Sequence, residues 1–450
     1  MQMGLHKRQA LNKNSHNIEA VKVDDYDIGL YNPQFRGNEF EVPETRRRAF
    51  HEVVSTIDNA GITAVVGLRR VGKTVLLKQI LNSLMREDRE FFYFSFDEDR
   101  YANLDGLESV IRTSLNFLDS PIVALDEVSR IKGWAGTIKK YHDTKGVRFL
   151  LSGSASLEIT KGKESLAGRL FDFYLPPLQY MEFISFQKGK DPLKGLKMDL
   201  NKPEKTFIEW NDSGHLKDFL SRGSFPELIN VKEDVFIKKY ILSSTVEKII
   251  FEDLPKTFGI TDQDALYRLW ELVSSKPSML FVPSNLEHTV GLTRDTISKY
   301  LFYLERAYLV RSVWKKASVS SKLRKGRKVY PPAPCIAYQM GKDETSMGAV
   351  AETAVLDKLQ NGLSMEVFFY RGSRRSEVDF IADGIPIEVK FQSSIGPGDS
   401  HNLIRYMNAK SIEKGIMITK KDTGVLDRNG VRVIMIPLEL FLQIESLQTE

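Results

Sequence analysis

Residues 62–85 read ITAVVGLRRVGKTVLLKQILNSLM, and the fold is decided there. The first five form a short apolar run rich in β-branched side chains, which predicts a buried strand. The last eleven, VLLKQILNSLM, carry apolar residues at helical spacing. Between them Gly67-Leu68-Arg69-Arg70-Val71-Gly72-Lys73-Thr74 fits GxxxxGK[ST]. The strand–loop–helix setting separates a phosphate-binding loop from a chance match. Its glycines let backbone N–H groups turn inward onto phosphates, helped by the helix dipole. Lys73 is expected on the β- and γ-phosphates of ATP, and the Thr74 hydroxyl on Mg²⁺.

Farther along, Ile122-Val123-Ala124-Leu125-Asp126-Glu127 is an apolar strand ending in two acids. Alone it would be a solvated strand end. Beside the loop it completes the cage: Asp126 is expected to hold the magnesium shell, and Glu127 to polarise the attacking water. Phe91–Phe96 and Val147–Ser152 read as two more strands, alternating with helical patterns, and an amphipathic helix is expected over 46–60. Such alternation gives a mostly parallel sheet with helices on both faces. After Arg148-Phe149-Leu150-Leu151 come Ser152-Gly153-Ser154, where a hydroxyl can touch the γ-phosphate or the water; the plain alternative is a turn. Arg169, in Leu166-Ala167-Gly168-Arg169, can neutralise transition-state charge in cis or from a neighbouring subunit, or be a surface arginine.

The runs GLRRVGKTVLL, LDEVSRIKGW, LLSGSASLEI and LAGRLFDFYLPPLQYMEF together resemble the prokaryotic AAA+-type ATPases paired with a C-terminal domain of unknown function 4143. The resemblance covers most of the chain. It implies Ser154 as a sensor-type residue and Arg169 as a finger-type residue, and with the latter a homo-oligomer. Leu151-Ser152-Gly153-Ser154 stands where the family commonly has Thr-Gly-Ser, a change that keeps the hydroxyl. Arg222-Gly223-Ser224-Phe225-Pro226-Glu227 is similar to the family's GGFPE signature and is read as structural.

Helical patterns fill 216–309. Within them Ser284–Glu287 and Val290–Leu301 read as helix, glycine turn and helix, with Ile297, Tyr300, Leu301 and Leu304 as one buried stripe. Thr293 is the expected N-cap, leaving Arg294, Ser298 and Lys299 near the helix start, where recognition helices touch DNA. A strand over 308–314 follows. Then Lys315, Lys316, Lys322, Arg324, Lys325, Arg327 and Lys328 place seven cations in fourteen residues, the expected wing of a winged helix on phosphates. A protein-docking winged helix with a solvated basic loop is the competing reading.

The C-terminal third returns to strands at 367–370, 378–382, 385–390, 415–418 and 431–436. Glu377-Val378-Asp379-Phe380-Ile381-Ala382-Asp383-Gly384-Ile385-Pro386-Ile387-Glu388-Val389-Lys390 reads as a hairpin. Residues two apart share a face, so Glu388 and Lys390 point together, with Asp379 beside them. This resembles the PD-(D/E)XK nuclease core, which implies Asp379 and Glu388 as ligands for Mg²⁺ or Mn²⁺ and Lys390 as the water-orienting cation. Glu352 lies where that superfamily often donates a further acid.

Composition closes off other classes. Hydrophobic residues are 42% and charged residues 27%, which excludes large-scale disorder. A single cysteine excludes a disulfide framework, and seven scattered histidines argue against zinc. A net charge of +5 does not by itself specify nucleic acid. No apolar run spans a membrane and no secretory signal is evident, so a cytoplasmic protein is expected. The expected organisation is an N-terminal arm (1–45), an AAA-type P-loop ATPase core with a parallel sheet (46–187) and a loop or linker (188–205). A helical winged-helix region (206–335) and an α/β PD-(D/E)XK nuclease-like domain (336–450) follow. The expected function is Mg-dependent ATP hydrolysis coupled to DNA processing, with metal-dependent DNA endonuclease activity as the second candidate. The alternative is an ATP-gated protein-binding switch or scaffold with an inactive C-terminal domain.

Overall fold

The computed structural model describes residues 23–153, 166–191, 193–316, 326–341, 347–372, 376–396, 398–428 and 430–448. Strands β1 (Ile62–Val66), β2 (Phe91–Ser95), β3 (Ile122–Asp126), β4 (Arg148–Gly153) and β5 (Leu170–Tyr174) form one sheet in the order β2-β3-β4-β1-β5. Every neighbouring pair is parallel. All five residues of β1, β2 and β3 are buried, as continuous apolar runs in a doubly covered parallel sheet should be. The phosphate-loop strand and the Asp126 strand are therefore separated by β4. The helix Lys73–Arg86 packs one buried stripe on the sheet, and the helix Phe50–Ile57 is shorter than the expected 46–60.

Part of the arm is docked. Asn32, fully buried, donates to Tyr93 O at 3.0 Å and accepts from Tyr93 N at 2.8 Å, which stitches it to the β2 edge. The segment 188–205, expected as an exposed loop, instead contains β6 (Leu196–Asp199) and the start of a helix Pro203–Glu209. β6 pairs in parallel with β16 (Ile444–Gln448) as a separate two-stranded sheet. Met198 and Leu200 supply its buried face. A partner almost 250 residues away leaves no local signal in a Lys- and Gly-rich stretch.

Nine strands make the largest sheet. β7 (Met279–Phe281), β8 (Arg311–Lys315), β9 (Arg327–Tyr330), β10 (Val367–Arg371), β11 (Glu377–Ala382), β12 (Ile385–Lys390), β13 (Lys414–Thr419), β14 (Gly424–Arg428) and β15 (Val431–Pro437) run in the order β14-β15-β13-β12-β11-β10-β8-β9-β7. The basic hairpin and the acidic hairpin thus belong to one sheet, joined where β8 pairs in parallel with β10. The architecture is mixed α/β, with a P-loop ATPase-like N-terminal part and a helical and β-sheet C-terminal part.

Alternation along the strands sends side chains into different cores. Val65, Tyr93, Ala124 and Leu150 share one with Leu269, Trp270 and Leu301 of the helical region. Ala64, Phe92, Val123 and Leu151 fill the opposite face. One apolar core therefore runs from the phosphate-loop helix into the helices that follow.

Candidate functional site

β1 ends at Val66, and the chain turns at once into the loop. A Cβ on Gly67 would lie 2.4 Å from the Leu175 carbonyl oxygen, so only glycine fits there. Gly72 caps the following helix at φ +95°. Lys73 is buried and donates to Gly67 O at 3.1 Å and Leu68 O at 3.0 Å, closing the loop on itself. Burial pulls its ammonium below the ordinary lysine value, against the attraction of Glu127 and Asp126.

Four side chains converge on the end of β3. Asp126 Oδ2 accepts from Thr74 Oγ1 at 2.7 Å and from Tyr93 Oη at 3.1 Å, while Oδ1 accepts from the Ser152 hydroxyl. Ser152 Oγ also accepts the Glu127 N–H at 3.1 Å. Burial and neighbouring Glu127 push the Asp126 carboxyl up, opposed by the Ser152 and Thr74 hydroxyls. Glu127 follows at φ +54°, a left-handed turn that redirects the chain as it leaves the strand. The hydroxyl on the acids is therefore Ser152, two residues before the expected Ser154, which lies outside the described residues. Period-two alternation of β4 held the signal: Leu150 and Ser152 share a face. Tyr93 was missed as well.

The loop is also held from outside. Arg47, only 4% exposed, pairs with Glu182 through Nε at 2.9 Å and donates to Val71 O at 2.6 Å. From the helical region Asp253 grips Arg69 through two hydrogen bonds of 2.8 and 2.7 Å, and Glu227 meets Arg70 at 3.3 Å. Pro226 Cγ lies 3.8 Å from where a Cβ on Gly72 would be. Two loop residues expected only as phosphate binders are thus tethered to acids more than 150 residues away.

Arg169 is on the wrong edge for its own site. Its carbonyl accepts from Ile62 N at 3.2 Å, at the start of β1, whereas the loop follows the end of β1. Four residues of strand, roughly 13 Å, separate the two. Its side chain pairs with Asp143 at 2.7 Å. In this structure its guanidinium is held by Asp143 rather than turned to the phosphate loop of its own chain.

In the C-terminal hairpin the expected neighbours do meet. Glu388 and Lys390 share a face and pair at 2.6 Å, and Asp379 Oδ2 accepts the Val389 N–H at 3.0 Å. Lys328 was expected on DNA and is not available to it: 4% exposed, it sits among Glu377 at 2.7 Å, Glu352 at 3.1 Å and Asp379 at 3.2 Å. Tyr330 Oη adds a 2.6 Å hydrogen bond to Glu352. The three carboxylates hold the Lys328 ammonium above the usual lysine value despite its burial. Burial, then the charge of Asp379, pushes Glu352 up to about 7 and Glu388 up to about 8. Among the described residues no group of three or more His, Cys, Asp or Glu side chains is placed to hold a metal ion. Glu352 and Asp379 already hold the Lys328 ammonium and Glu388 holds Lys390, so these acids are engaged by protein cations rather than open to a divalent ion.

Three stretches match models of known families. Residues 59–184 match an AAA domain. Residues 213–343 match a domain of unknown function, DUF8612, and residues 347–441 match another, DUF4143. An uncharacterized protein of Methanocaldococcus jannaschii, MJ1544, is 26% identical over 333 residues, 72% of each chain. An uncharacterized protein of Haemophilus influenzae is 24% identical over 414 residues, covering 87% of this chain and 97% of that one. Among solved structures, a replication initiator DnaA bound to AMPPCP and single-stranded DNA is 14% identical with a TM-score of 0.27, covering 59% of this chain and 90% of that one. A Hsp104–ADP complex of S. cerevisiae is 12% identical with a TM-score of 0.32, covering 73% and 44%. Scores this low carry nothing about substrate or partner. The chain joins an AAA-type ATPase-like core to a C-terminal DUF4143 domain.

The remaining basic residues divide by their surroundings. Thr293 caps the helix Arg294–Arg306 by accepting from Thr296 N. Arg294 and Lys299 are exposed, with Arg294 beside Asp295 at 3.3 Å, and half-buried Ser298 donates to Arg294 O at 2.9 Å. Lys315 is half-buried and Lys316 exposed. Arg327 is held internally, 2.9 Å from Glu305 and 4.8 Å above the Trp314 ring. Lys322, Arg324 and Lys325 lie outside the described residues. Among the described residues no helix is long and apolar enough to cross a membrane.

Proposed function

We propose that the chain binds and hydrolyses ATP at Gly67–Thr74, Asp126 and Glu127, and uses the nucleotide state to act on DNA through its helical region. The observation that carries this reading is the meeting of Thr74, Asp126 and Ser152 at the C-terminal ends of β3 and β4, with Lys73 buried in the adjoining loop. A hydroxyl and a carboxylate 2.7 Å apart are hard oxygen donors of the kind that fit Mg²⁺. Thr74 and Asp126 would hold that ion, which when bound spreads phosphate charge. Lys73 exchanges its two carbonyl partners for phosphate oxygens. Ser152 fixes the Asp126 carboxylate and the Glu127 backbone together, so the Glu127 carboxylate is aimed by the turn that follows. Arg169, half-buried beside Asp143 just before β5, serves a neighbouring subunit's site.

The helical part supports the DNA reading. The helix Gln263–Ser275, β7, the helices Pro283–Val290 and Arg294–Arg306, then β8 and β9, with both β7 and β8 antiparallel to β9, follow winged-helix order. Arg294, Lys299, Lys315 and Lys316 are the described cations positioned to meet phosphate. β10, β11 and β12 with the helix Met347–Asp357 support a PD-(D/E)XK-like reading, but no cleavage step follows from acids already bridged by a lysine. That bridge favours the second reading, a protein-binding switch with an inert C-terminal domain. The deciding experiment measures phosphate release with and without single-stranded, duplex and branched DNA. Turnover that no DNA alters, with no DNA bound at low salt, would leave only the second reading standing.

A further inference from the structure

Lys328 Nζ has three protons and three carboxylates around it. Glu377 Oε1 lies at 2.7 Å, Glu352 Oε1 at 3.1 Å and Asp379 Oδ1 at 3.2 Å. An ammonium donates in three directions, so its capacity is used in full. Glu352 Oε1 takes the Tyr330 hydroxyl as well as Lys328, the other Asp379 oxygen accepts the Val389 N–H, and nearby Glu388 Oε1 takes Lys390. Glu388, 4% exposed, has its other carboxylate oxygen buried with no hydrogen-bond partner.

A divalent ion would require something different. Magnesium demands near-octahedral oxygen ligands at about 2.0–2.1 Å, and an ammonium among the same carboxylates blocks that approach by both space and charge. Nor can Lys328 step aside cheaply. Its stem belongs to β9, hydrogen-bonded to β8 on one side and β7 on the other, with Lys328 paired to Val313 and Leu280. Moving the ammonium into water would strand Glu352 and Asp379, whose side chains are only 12% and 16% exposed, and uncompensated buried charge is the costly outcome.

We infer that the native occupant of this acidic cluster is the Lys328 ammonium, which takes the place of a divalent metal and fastens the basic hairpin to the acidic one. The inference rests on the PD-(D/E)XK-like reading only for the comparison with a metal; the lysine cage itself stands on the distances. The module then works without Mg²⁺ or Mn²⁺, as a binding or coupling element.

The test is Mn²⁺ binding to the full nucleotide-free chain, followed by water-proton relaxation. The wild type and Asp379→Asn should bind the same number of ions, because the acids contribute none. Lys328→Met should gain one Mn²⁺ per chain, and Asp379→Asn in that background should remove it. Mn²⁺ should also raise the melting temperature of Lys328→Met and not that of the wild type, since only the variant has a vacant cation position. Loss of a bound Mn²⁺ from the wild type on Asp379→Asn would overturn the inference, because metal would then be displacing the lysine. So would a folded Lys328→Met that gains no site. If Lys328→Met fails to fold with or without Mn²⁺, the comparison of wild type with Asp379→Asn still decides. None of these readings depends on ATP hydrolysis, so failure here and failure of the ATPase reading are distinguishable.

Discussion

Arg47→Met is the substitution whose cost can be worked most directly. Arg47 makes two hydrogen bonds to Glu182, at 2.9 and 3.2 Å, and the two side chains are 4% and 3% exposed. It also donates to Val71 O and Pro176 O at 2.6 and 2.8 Å. Methionine keeps much of the volume and removes every donor. Breaking one partner of a buried pair costs about 3–5 kcal/mol. Glu182 keeps the backbone N–H groups of Arg48 and Gln179 at 2.9 and 3.0 Å, which places the expectation toward the lower end. Val71 lies inside the phosphate loop, so ATP affinity should fall by about tenfold, roughly 1.4 kcal/mol. Urea unfolding followed by circular dichroism reads the first effect, and nucleotide titration the second. Replacing Glu182 by Met in the same chain should recover most of the stability, since an apolar pair of similar volume is often neutral. The pH dependence adds a sign. Burial alone raises the Glu182 carboxyl, but Arg47 brings it below the usual carboxylate value. In the wild type this contribution is present above the unfolded pKa of about 4.3 and lost as pH falls through the folded value. In Arg47→Met the carboxyl rises, and the same contribution is instead lost as pH increases. A loss under about 1 kcal/mol with unchanged ATP affinity would refute the argument, because it would mean the pair is not what holds the loop.

Other expectations are as definite. Glu127→Gln should bind ATP and fail to turn over, while Lys73→Ala should not bind; wild-type hydrolysis by Glu127→Gln would remove the general-base assignment. Ser152→Ala should cut kcat by roughly 10- to 100-fold with little change in KM, the loss expected when a positioning hydrogen bond goes; an unaltered kcat sinks it. Replacing Arg294, Lys299, Lys315 and Lys316 by Gln should flatten the log–log salt dependence of duplex DNA binding by about 0.9 for each phosphate no longer neutralised. An unchanged slope would turn that surface toward protein or solvent. Glu388 is protonated more readily in the folded chain, at about 8, than when unfolded. The native state therefore holds the extra proton, and stability should fall as pH rises from about 4.3 toward 8. Glu388→Gln should flatten that decline as measured by thermal melts across the range.

What the sequence disclosed depended on how far each signal reached along the chain. The run from Ile62 to Met85 carries strand, loop and helix within one window, and β1, β3 and β12 lie where their apolar runs begin and end. Ser152 was harder because a turn of Ser-Gly-Ser offers two hydroxyls, and only the facing of β4 chooses between them. Lys328 was misplaced for a different reason. Seven cations in a row of fourteen look like one solvated face, yet a strand divides its residues between two faces. Arg327 goes to Glu305, and Lys328 and Tyr330 go together to Glu352. The pairing of β6 with β16 and the grip of Asp253 on Arg69 span 184 residues or more. No local pattern encodes which distant partner a charged side chain will find.

The same distances explain how a nucleotide event could travel. The phosphate-loop helix and the helical region share one apolar core through Leu76, Ile80, Leu266 and Trp270, and a packed core resists gradual deformation. The bonds from Arg69 to Asp253 and from Arg70 to Glu227 are different in kind. They are directional, partly exposed, and made by side chains of the loop proposed to receive phosphate. In that reading phosphate oxygens would compete for those guanidinium groups with the two carboxylates, because an arginine fork fits either acceptor. The half-exposed Arg70–Glu227 pair costs little to lose, whereas the two-pronged, less exposed Arg69–Asp253 pair is the stronger tether. Glu227 and Asp253 lie on the chain leading into the helix that carries Lys299 and then the hairpin, and that hairpin is anchored to the acidic sheet by Lys328. A change at Arg69 and Arg70 would therefore be felt first at Asp253 and Glu227, in the helical region whose hairpin Lys328 ties to the acidic sheet.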